Sequence, residues 1–176
     1  MTVHFSDGSS IDRGSIIQVK QTLYSGSWST NSNSWQNTSL SIAITPTSAN
    51  SRVLIMGHVI LGADQHGEGF YRINGGNNNW ATHYGNAAGS RTQCMGFMGN
   101  DWGHGATAHG WAFHTSFIVM GHPNTTSTQT MYFSMKSRGS DYVYMGRDPE
   151  DPDNSEGGRP VSGMIAMEVS DGAYTS

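Results

Sequence analysis

Two apolar segments separated by a turn carry the clearest hydrophobic pattern of this chain. In the first, Leu40, Ile42 and Ile44 alternate with small or polar residues, which predicts a strand with one buried face. Pro46 ends that strand, because proline has no backbone N–H to donate to a sheet. The second segment, residues 53–61, is apolar on both faces almost throughout. This pattern is typical of a central strand covered on both sides.

The same reading predicts six further strands and no helix. They are residues 15–25, near an edge of a sheet, then 70–73, 111–120, 128–136, 142–145 and 161–169. Residues 111–120 and 128–136, joined by a turn, are expected to form a hairpin-like pair. In the last strand the alternation predicts four inward-facing residues, Val161, Ile165, Met167 and Val169.

About eight strands with turns at roughly ten-residue spacing predict an all-β fold, an antiparallel β-sandwich of jelly-roll type. The composition agrees, because the chain has 23 glycines but very few leucines, and leucine serves helices more than strands. Residues 75–110 are rich in Gly, Asn, His and Trp and predict long loops over one end of the sandwich. We expect a single domain over residues 15–176.

Residues 1–14 are mostly polar and predict an extended N-terminal arm outside that domain. We interpret the arm as an attachment segment, with Val3, Phe5 and Ile11 as its candidate contact residues.

Charge and hydropathy exclude several classes of partner. The net charge is −4, with two lysines and no basic cluster, which argues against nucleic-acid binding. The longest apolar run, residues 53–61, is too short to cross a bilayer, so no membrane insertion is expected. Cys94 is the single cysteine, and the N-terminus lacks a secretory signal pattern. We therefore expect synthesis and folding in a reducing cytoplasm.

Four segments in order resemble one family, the small jelly-roll domains of tail-fibre and other virion-surface proteins of tailed bacteriophages, especially those of marine and cyanobacterial hosts. The segments are residues 16–25, 39–59, 122–137 with 143–147, and 151–169. The resemblance implies a homotrimeric structural protein without catalytic residues, located on the virion after synthesis in the host cytoplasm. Its implied partners are other virion proteins of the tail or capsid. Residues 75–110 match nothing in that family.

Two alternatives to a tail-fibre or receptor-binding domain stay open. The chain starts almost at the domain, without the shaft that precedes such domains, so a capsid decoration protein of the cement or head-fibre kind stays open as an alternative. A free carbohydrate-binding module is the rival from another class. It differs in being monomeric and in having no need of an attachment arm.

Five aromatic or histidine residues are candidates for contact with a host-surface glycan. They are Trp80, His83, Tyr84, Trp102 and Trp111, which lie within or beside the Gly- and Asn-rich segment. Flat apolar rings among hydrogen-bonding groups suit sugar rings. We favour the structural interpretation, in which these rings anchor long loops or pack between subunits.

The acidic segment that follows Arg147 is the main candidate metal site, with calcium as the ion. Its oxygen ligands would be Asp148, Asp151, Asp153 and Glu156, but the spacing is not that of an EF-hand. A solvated acidic turn is the favoured interpretation, and no other cofactor is indicated.

Histidine and carboxylate patterns give weaker hypotheses. His104, His109 and His114 recur every five residues, a spacing that alternates the faces of a strand and favours structural histidines. In a trimer, one histidine on the threefold axis would nevertheless supply three ligands. Glu68 and Asp101 resemble a glycosidase carboxylate pair only in residue type, and we expect no enzymatic activity.

Overall fold

The computed structural model describes residues 3–4, 10–11, 16–63, 67–76, 84–99, 112–149 and 158–170. The described residues form twelve strand segments and no helix, and every recorded strand pairing is antiparallel. The strands are β1 (Val3–His4), β2 (Ser10–Ile11), β3 (Ile16–Tyr24), β4 (Trp28–Thr30), β5 (Gln36–Ile44), β6 (Arg52–Ala63), β7 (Glu68–Gly75), β8 (Gly96–Gly99), β9 (Ala112–Gly121), β10 (Gln129–Ser137), β11 (Val143–Met145) and β12 (Ser162–Val169).

The larger sheet is built around β6, as the long apolar segment predicts. Its order is β3-β12-β6-β11-β4, with β9 also paired to β6. β12 pairs with residues 52–58 of β6 and β9 pairs with residues 53–62, so the two strands must lie on opposite sides of β6. β11 pairs with the last residues of β6, beyond the end of β12, and carries β4 on its far side. β3 lies at the end of this order, which agrees with its predicted place near an edge.

The smaller sheet has the order β5-β10-β7-β8. Separately, β1 and β2 pair with each other, Val3 opposite Ile11 and His4 opposite Ser10. The predicted attachment arm therefore doubles back on itself at these residues. Phe5, its third candidate contact, lies outside the described residues.

The core lies between the two sheets and is formed by the alternate residues of both. Met131, Phe133 and Met135 of β10 are fully buried, as the alternation predicts. The Phe133 ring lies 5.5 Å from Tyr71 and 5.8 Å from Phe117 of the opposite sheet, centre to centre. Such aromatic pairs add to the stabilisation given by buried area. The molecule is thus an antiparallel β-sandwich, which confirms the all-β sandwich part of the prediction, with twelve described strand segments in place of about eight.

The expected hairpin of residues 111–120 and 128–136 is wrong. β9 pairs with β6 in the larger sheet, whereas β10 pairs with β5 and β7 in the smaller one. The intervening residues carry the chain across the sandwich and not into a neighbouring strand. Turn chemistry at the end of a strand indicates a change of direction, but it does not identify the strand that will be the partner.

The expected inward face of the last strand is also wrong. Met164, Ala166 and Glu168 are completely buried, whereas the residues between them are half-exposed and Val161 is exposed. Both faces of β12 carry apolar residues, and the alternation favoured the face with the larger aliphatic side chains, Ile165, Met167 and Val169, as the buried one. The buried face instead holds an alanine and a carboxylate, which the alternation of hydrophobicity counts as polar.

Glu168 is stabilised inside the protein by hydrogen bonds from two other segments of the chain. Gln18 Nε2 donates to its Oε2 at 2.6 Å, and the backbone N–H and hydroxyl of Thr47 donate to Oε1 at 2.7 and 2.8 Å. Burial opposes ionisation, but these donors outweigh it and hold the pKa of Glu168 below its usual value. Gln18 also donates to the carbonyl of Thr45, so this network fastens β3 and β12 to the end of β5.

Candidate functional site

Most of the aromatic residues singled out from the sequence cannot be placed. Trp80, His83, Trp102 and Trp111 lie outside the described residues. Tyr84 is half-buried, and its hydroxyl donates to the backbone carbonyl of Ile73 in β7 at 3.1 Å. That contact fits the interpretation in which the ring anchors the segment that follows it.

The candidate metal ligands are placed only in part. Asp148 is half-buried, while Asp151, Asp153 and Glu156 lie outside the described residues. Within the described ranges no group of three or more His, Cys, Asp or Glu side chains is arranged to hold a metal ion. The calcium site therefore stays a prediction.

Of the three regularly spaced histidines, only His114 is described. It is exposed on β9, and its ring stacks on that of His58 with the ring centres 6.0 Å apart. His58 Nε2 in turn donates to the carbonyl of Val161 at 3.0 Å. The partner of His114 is thus a histidine of the neighbouring strand, which the spacing along the chain did not indicate.

The outer side of the larger sheet forms an apolar face across four strands. It consists of three successive rows of paired residues from β3, β12, β6 and β9. The rows are Val19, Met167, Leu54 and Met120; Gln21, Ile165, Met56 and Ile118; and Leu23, Gly163, His58 and Ser116. These residues alternate along their strands with buried core residues such as Ala166, Ile55 and Val119. We call these three rows the apolar face.

The apolar face is exposed at several large side chains. Val19 is 53% exposed, Leu23 is 61% exposed and Ile118 is 67% exposed. None of the twelve positions, three rows of four, is Lys, Arg, Asp or Glu. A sheet with only one buried face normally alternates apolar and polar residues. A contiguous exposed apolar patch with no charge marks an interaction surface.

Gly163 produces a depression in the apolar face. Any side chain there would meet Leu23 on one side and His58 on the other, because a Cβ would lie 2.9 and 3.3 Å from their nearest atoms. The resulting hollow has a volume of about 220 Å³ and is also lined by Met56 and Ile165. A hollow between apolar walls can accept a protruding apolar side chain of a partner.

The outer side of the smaller sheet has a different chemistry. The guanidinium of Arg72 lies 4.3 Å from the centre of the Trp35 ring, and the ammonium of Lys136 lies 5.3 Å from that of Phe70. These are cation–π distances. The sandwich therefore presents the apolar face on one side and a cationic, aromatic surface on the other.

Comparison with known proteins adds no relative. No protein-family model matches the chain, and a search of curated proteins finds no match. No helix long and apolar enough to span a membrane occurs among the residues that the structure describes.

Proposed function

We propose that this protein is a non-enzymatic structural protein of a bacteriophage virion. In this proposal it is a homotrimer displayed on the particle surface as a tail-fibre or receptor-binding type of domain. The assignment to a virion rests on the resemblance of the four ordered segments to phage surface domains. The apolar face carries the trimer.

The strand pairing supports the jelly-roll part of the proposal. Eight strands pair in a nested order: β7 with β8, β6 with β9, β5 with β10, and β3 with β12. Along the chain, each pair in this series is enclosed by the pair that follows it, so the eight strands form one long folded hairpin. The alternate pairs then fall in opposite sheets. A jelly roll, built of eight strands in two Greek keys, has this connectivity.

The chemistry of the apolar face favours copies of the same chain as its occupant. Exposed aliphatic side chains gain free energy when they leave water, at roughly 25 cal/mol per Å². Because the face carries no formal charge from acidic residues, lysine or arginine, like faces can meet without repulsion. Most oligomers of identical chains are cyclic and symmetric. In a ring of three copies, the apolar face of each copy would contact the apolar faces of its neighbours.

Multivalent contact is the mechanism that a trimer would provide. Three identical sites on one rigid particle component raise the overall avidity even when each site binds weakly. A capsid decoration protein would share the trimer and differ in what residues 1–14 contact. A free carbohydrate-binding module would be a monomer.

Light scattering on the purified chain tests the trimer directly. We expect a mass near three times 19.0 kDa, both for the whole chain and for a sample lacking residues 2–14, which assigns the arm to attachment and not to assembly. Ile118→Lys should give monomers, because it places three charges in the interface.

Phe97→Lys is the matched control, since Phe97 is 72% exposed on β8 of the other sheet. It should leave the trimer intact. A monomer at high concentration would overturn the trimer and favour a free glycan-binding module. A trimer that persists in Ile118→Lys would remove the apolar face as its interface. Loss of the trimer only in the shortened sample would make residues 2–14 the element of assembly.

A further inference from the structure

A groove lies beside the edge strand β8, on the side of the molecule away from the apolar face. It is formed by β7, β8, the segment before β8 and the residue after β10, and its volume is about 560 Å³. Small-molecule sites commonly occupy about 300–1,000 Å³. We call this the arginine groove, because Arg91 and Arg138 both line it.

Two phenylalanines give the arginine groove an apolar surface. Phe70 of β7 and Phe97 of β8 are directly opposite each other in the strand register, so both rings lie on the same side of the sheet. Phe97 is 72% exposed, the largest exposed fraction recorded for a large apolar side chain among the described residues. A flat exposed ring of this kind can stack against the apolar face of a sugar ring.

The two arginines give the groove its charge. The guanidinium of Arg138 donates to Glu68, but its side chain is 65% exposed, so donors remain for a ligand. No ion pair is recorded for Arg91 with any described residue. Glu68 is the one carboxylate among the lining residues that the structure describes. The planar guanidinium matches a carboxylate with two parallel hydrogen bonds.

The rest of the lining consists of groups that suit a polar ligand. Asn86, Ser90 and Thr92 supply amide and hydroxyl groups. Cys94 lies on the inner wall, where burial raises the pKa of its thiol although the charge of Lys136 opposes that effect. The thiol is therefore neutral at pH 7 and adds no negative charge. Two arginines and one carboxylate leave the described lining of the groove with one excess positive charge, in a chain whose net charge is −4. That local excess favours an anion.

We propose that the arginine groove binds an acidic saccharide whose sugar rings carry carboxylates, as in a uronic acid polymer. Arg91 and Arg138 hold the carboxylate, Phe97 stacks on the ring, and the amide and hydroxyl groups meet the sugar hydroxyls. This inference rests on the proposed function, since it gives the surface domain its host contact. It places that contact on residues other than the tryptophans that the sequence indicated.

Titration calorimetry with a short oligogalacturonate, compared with a neutral galactose oligosaccharide of the same length, tests the groove. We expect binding of the acidic oligosaccharide only. Arg91→Ala should weaken it by about tenfold or more, because a hydrogen bond to a charged group is lost. Phe97→Ala should weaken it as well. Added salt should reduce the affinity.

Lys20→Ala is the matched control, because it removes one positive charge from β3 of the other sheet and should leave the affinity unchanged. Equal loss of binding in Lys20→Ala would mean a general charge effect and would overturn the site. Absence of binding, equal binding of the neutral oligosaccharide, or equal binding of inorganic polyphosphate would also overturn it. Light scattering on the same samples keeps the two proposals apart. A trimer that does not bind overturns the groove alone, and a monomer that binds overturns the trimer alone.

Discussion

At the scale of single residues, Glu168 has the least expected environment in this protein. A side chain that ends in a carboxylate has no exposed surface next to the last residue of β12. Burying an ionised carboxylate costs several kcal/mol unless donors replace the lost water. Here Gln18 and Thr47 replace it. These donors come from other parts of the chain, so the carboxylate links β12 to two distant segments.

Glu168→Gln should lower the free energy of unfolding by about 1.5–3 kcal/mol at neutral pH. The substitution replaces one accepting carboxylate oxygen with an N–H₂ group, which is a donor and faces another donor, so one hydrogen bond is lost. The pKa of Glu168 is lowered by folding. Its contribution is therefore complete above the usual pKa of glutamate, about 4.3, and is lost as the pH falls through the lower value in the folded protein. Urea unfolding at several pH values should show the two proteins converging in acid.

Glu68→Gln is the control for that experiment, because the ion pair of Glu68 with Arg138 lies on the exposed surface and such pairs contribute little. If the difference in unfolding free energy between Glu168→Gln and the unmodified protein stayed the same at acidic pH, that result would contradict an ionised Glu168 in the folded protein.

At the scale of strands, β12 distinguishes the two sides of the larger sheet. Met164 points into the core and is completely buried, whereas its neighbour Ile165 lies on the apolar face and is half-exposed. Judged by hydrophobicity alone, Met164 and Ile165 would both be expected to be buried. Their different roles can be separated by experiment, because folding within one chain depends on the core, whereas the proposed trimer depends on the outer face.

Met164→Ala should therefore cost about 2–5 kcal/mol of folding free energy, the usual range for a large core side chain. Ile165→Ala should cost clearly less. Both are best measured by urea unfolding in the Ile118→Lys background, where the chain is expected to be monomeric. In the otherwise unmodified chain, Ile165→Ala should lower the mass measured by light scattering, because more of the protein becomes monomeric. Equal costs for the two substitutions would mean that the outer face is packed within a single chain.

At the scale of the whole molecule, the two sheets present surfaces suited to different partners. The larger sheet exposes the apolar face, whose three rows contain no Lys, Arg, Asp or Glu, whereas the smaller sheet exposes cations next to aromatic rings. In a trimer formed through the apolar face, the arginine grooves would lie away from the contacts between copies. Assembly and ligand binding could then proceed without competing for surface.

Thermal unfolding should depend on protein concentration if the trimer forms. Dilution by tenfold changes the free energy of a trimer by about 1 kcal/mol per chain. In a domain of this size that change lowers Tm by about 2–4 °C. Differential scanning fluorimetry over a hundredfold concentration range measures it, and Ile118→Lys should give a constant Tm. A constant Tm for the unmodified chain would contradict a trimer that dissociates on unfolding.

The local pattern of residues was sufficient for the strands and for the class of fold. Strong alternation gives β10 to within one residue at each end and β5 from residue 39 onward, and the apolar run of β6 predicts a central strand. These features depend on neighbouring residues, because a strand places successive side chains on opposite faces.

The partners of the strands, and the side of β12 that is buried, were decided only by the tertiary structure. When both faces of a strand are apolar, periodicity cannot distinguish the core face from the surface face. The residues of a turn likewise do not indicate which strand will pair with the strand that follows. The arginine groove likewise joins residues from β7, β8 and the end of β10. The sequence by itself determined that this chain forms an antiparallel β-sandwich. Where its apolar face and its cations lie depended on long-range pairing, which no local pattern encodes.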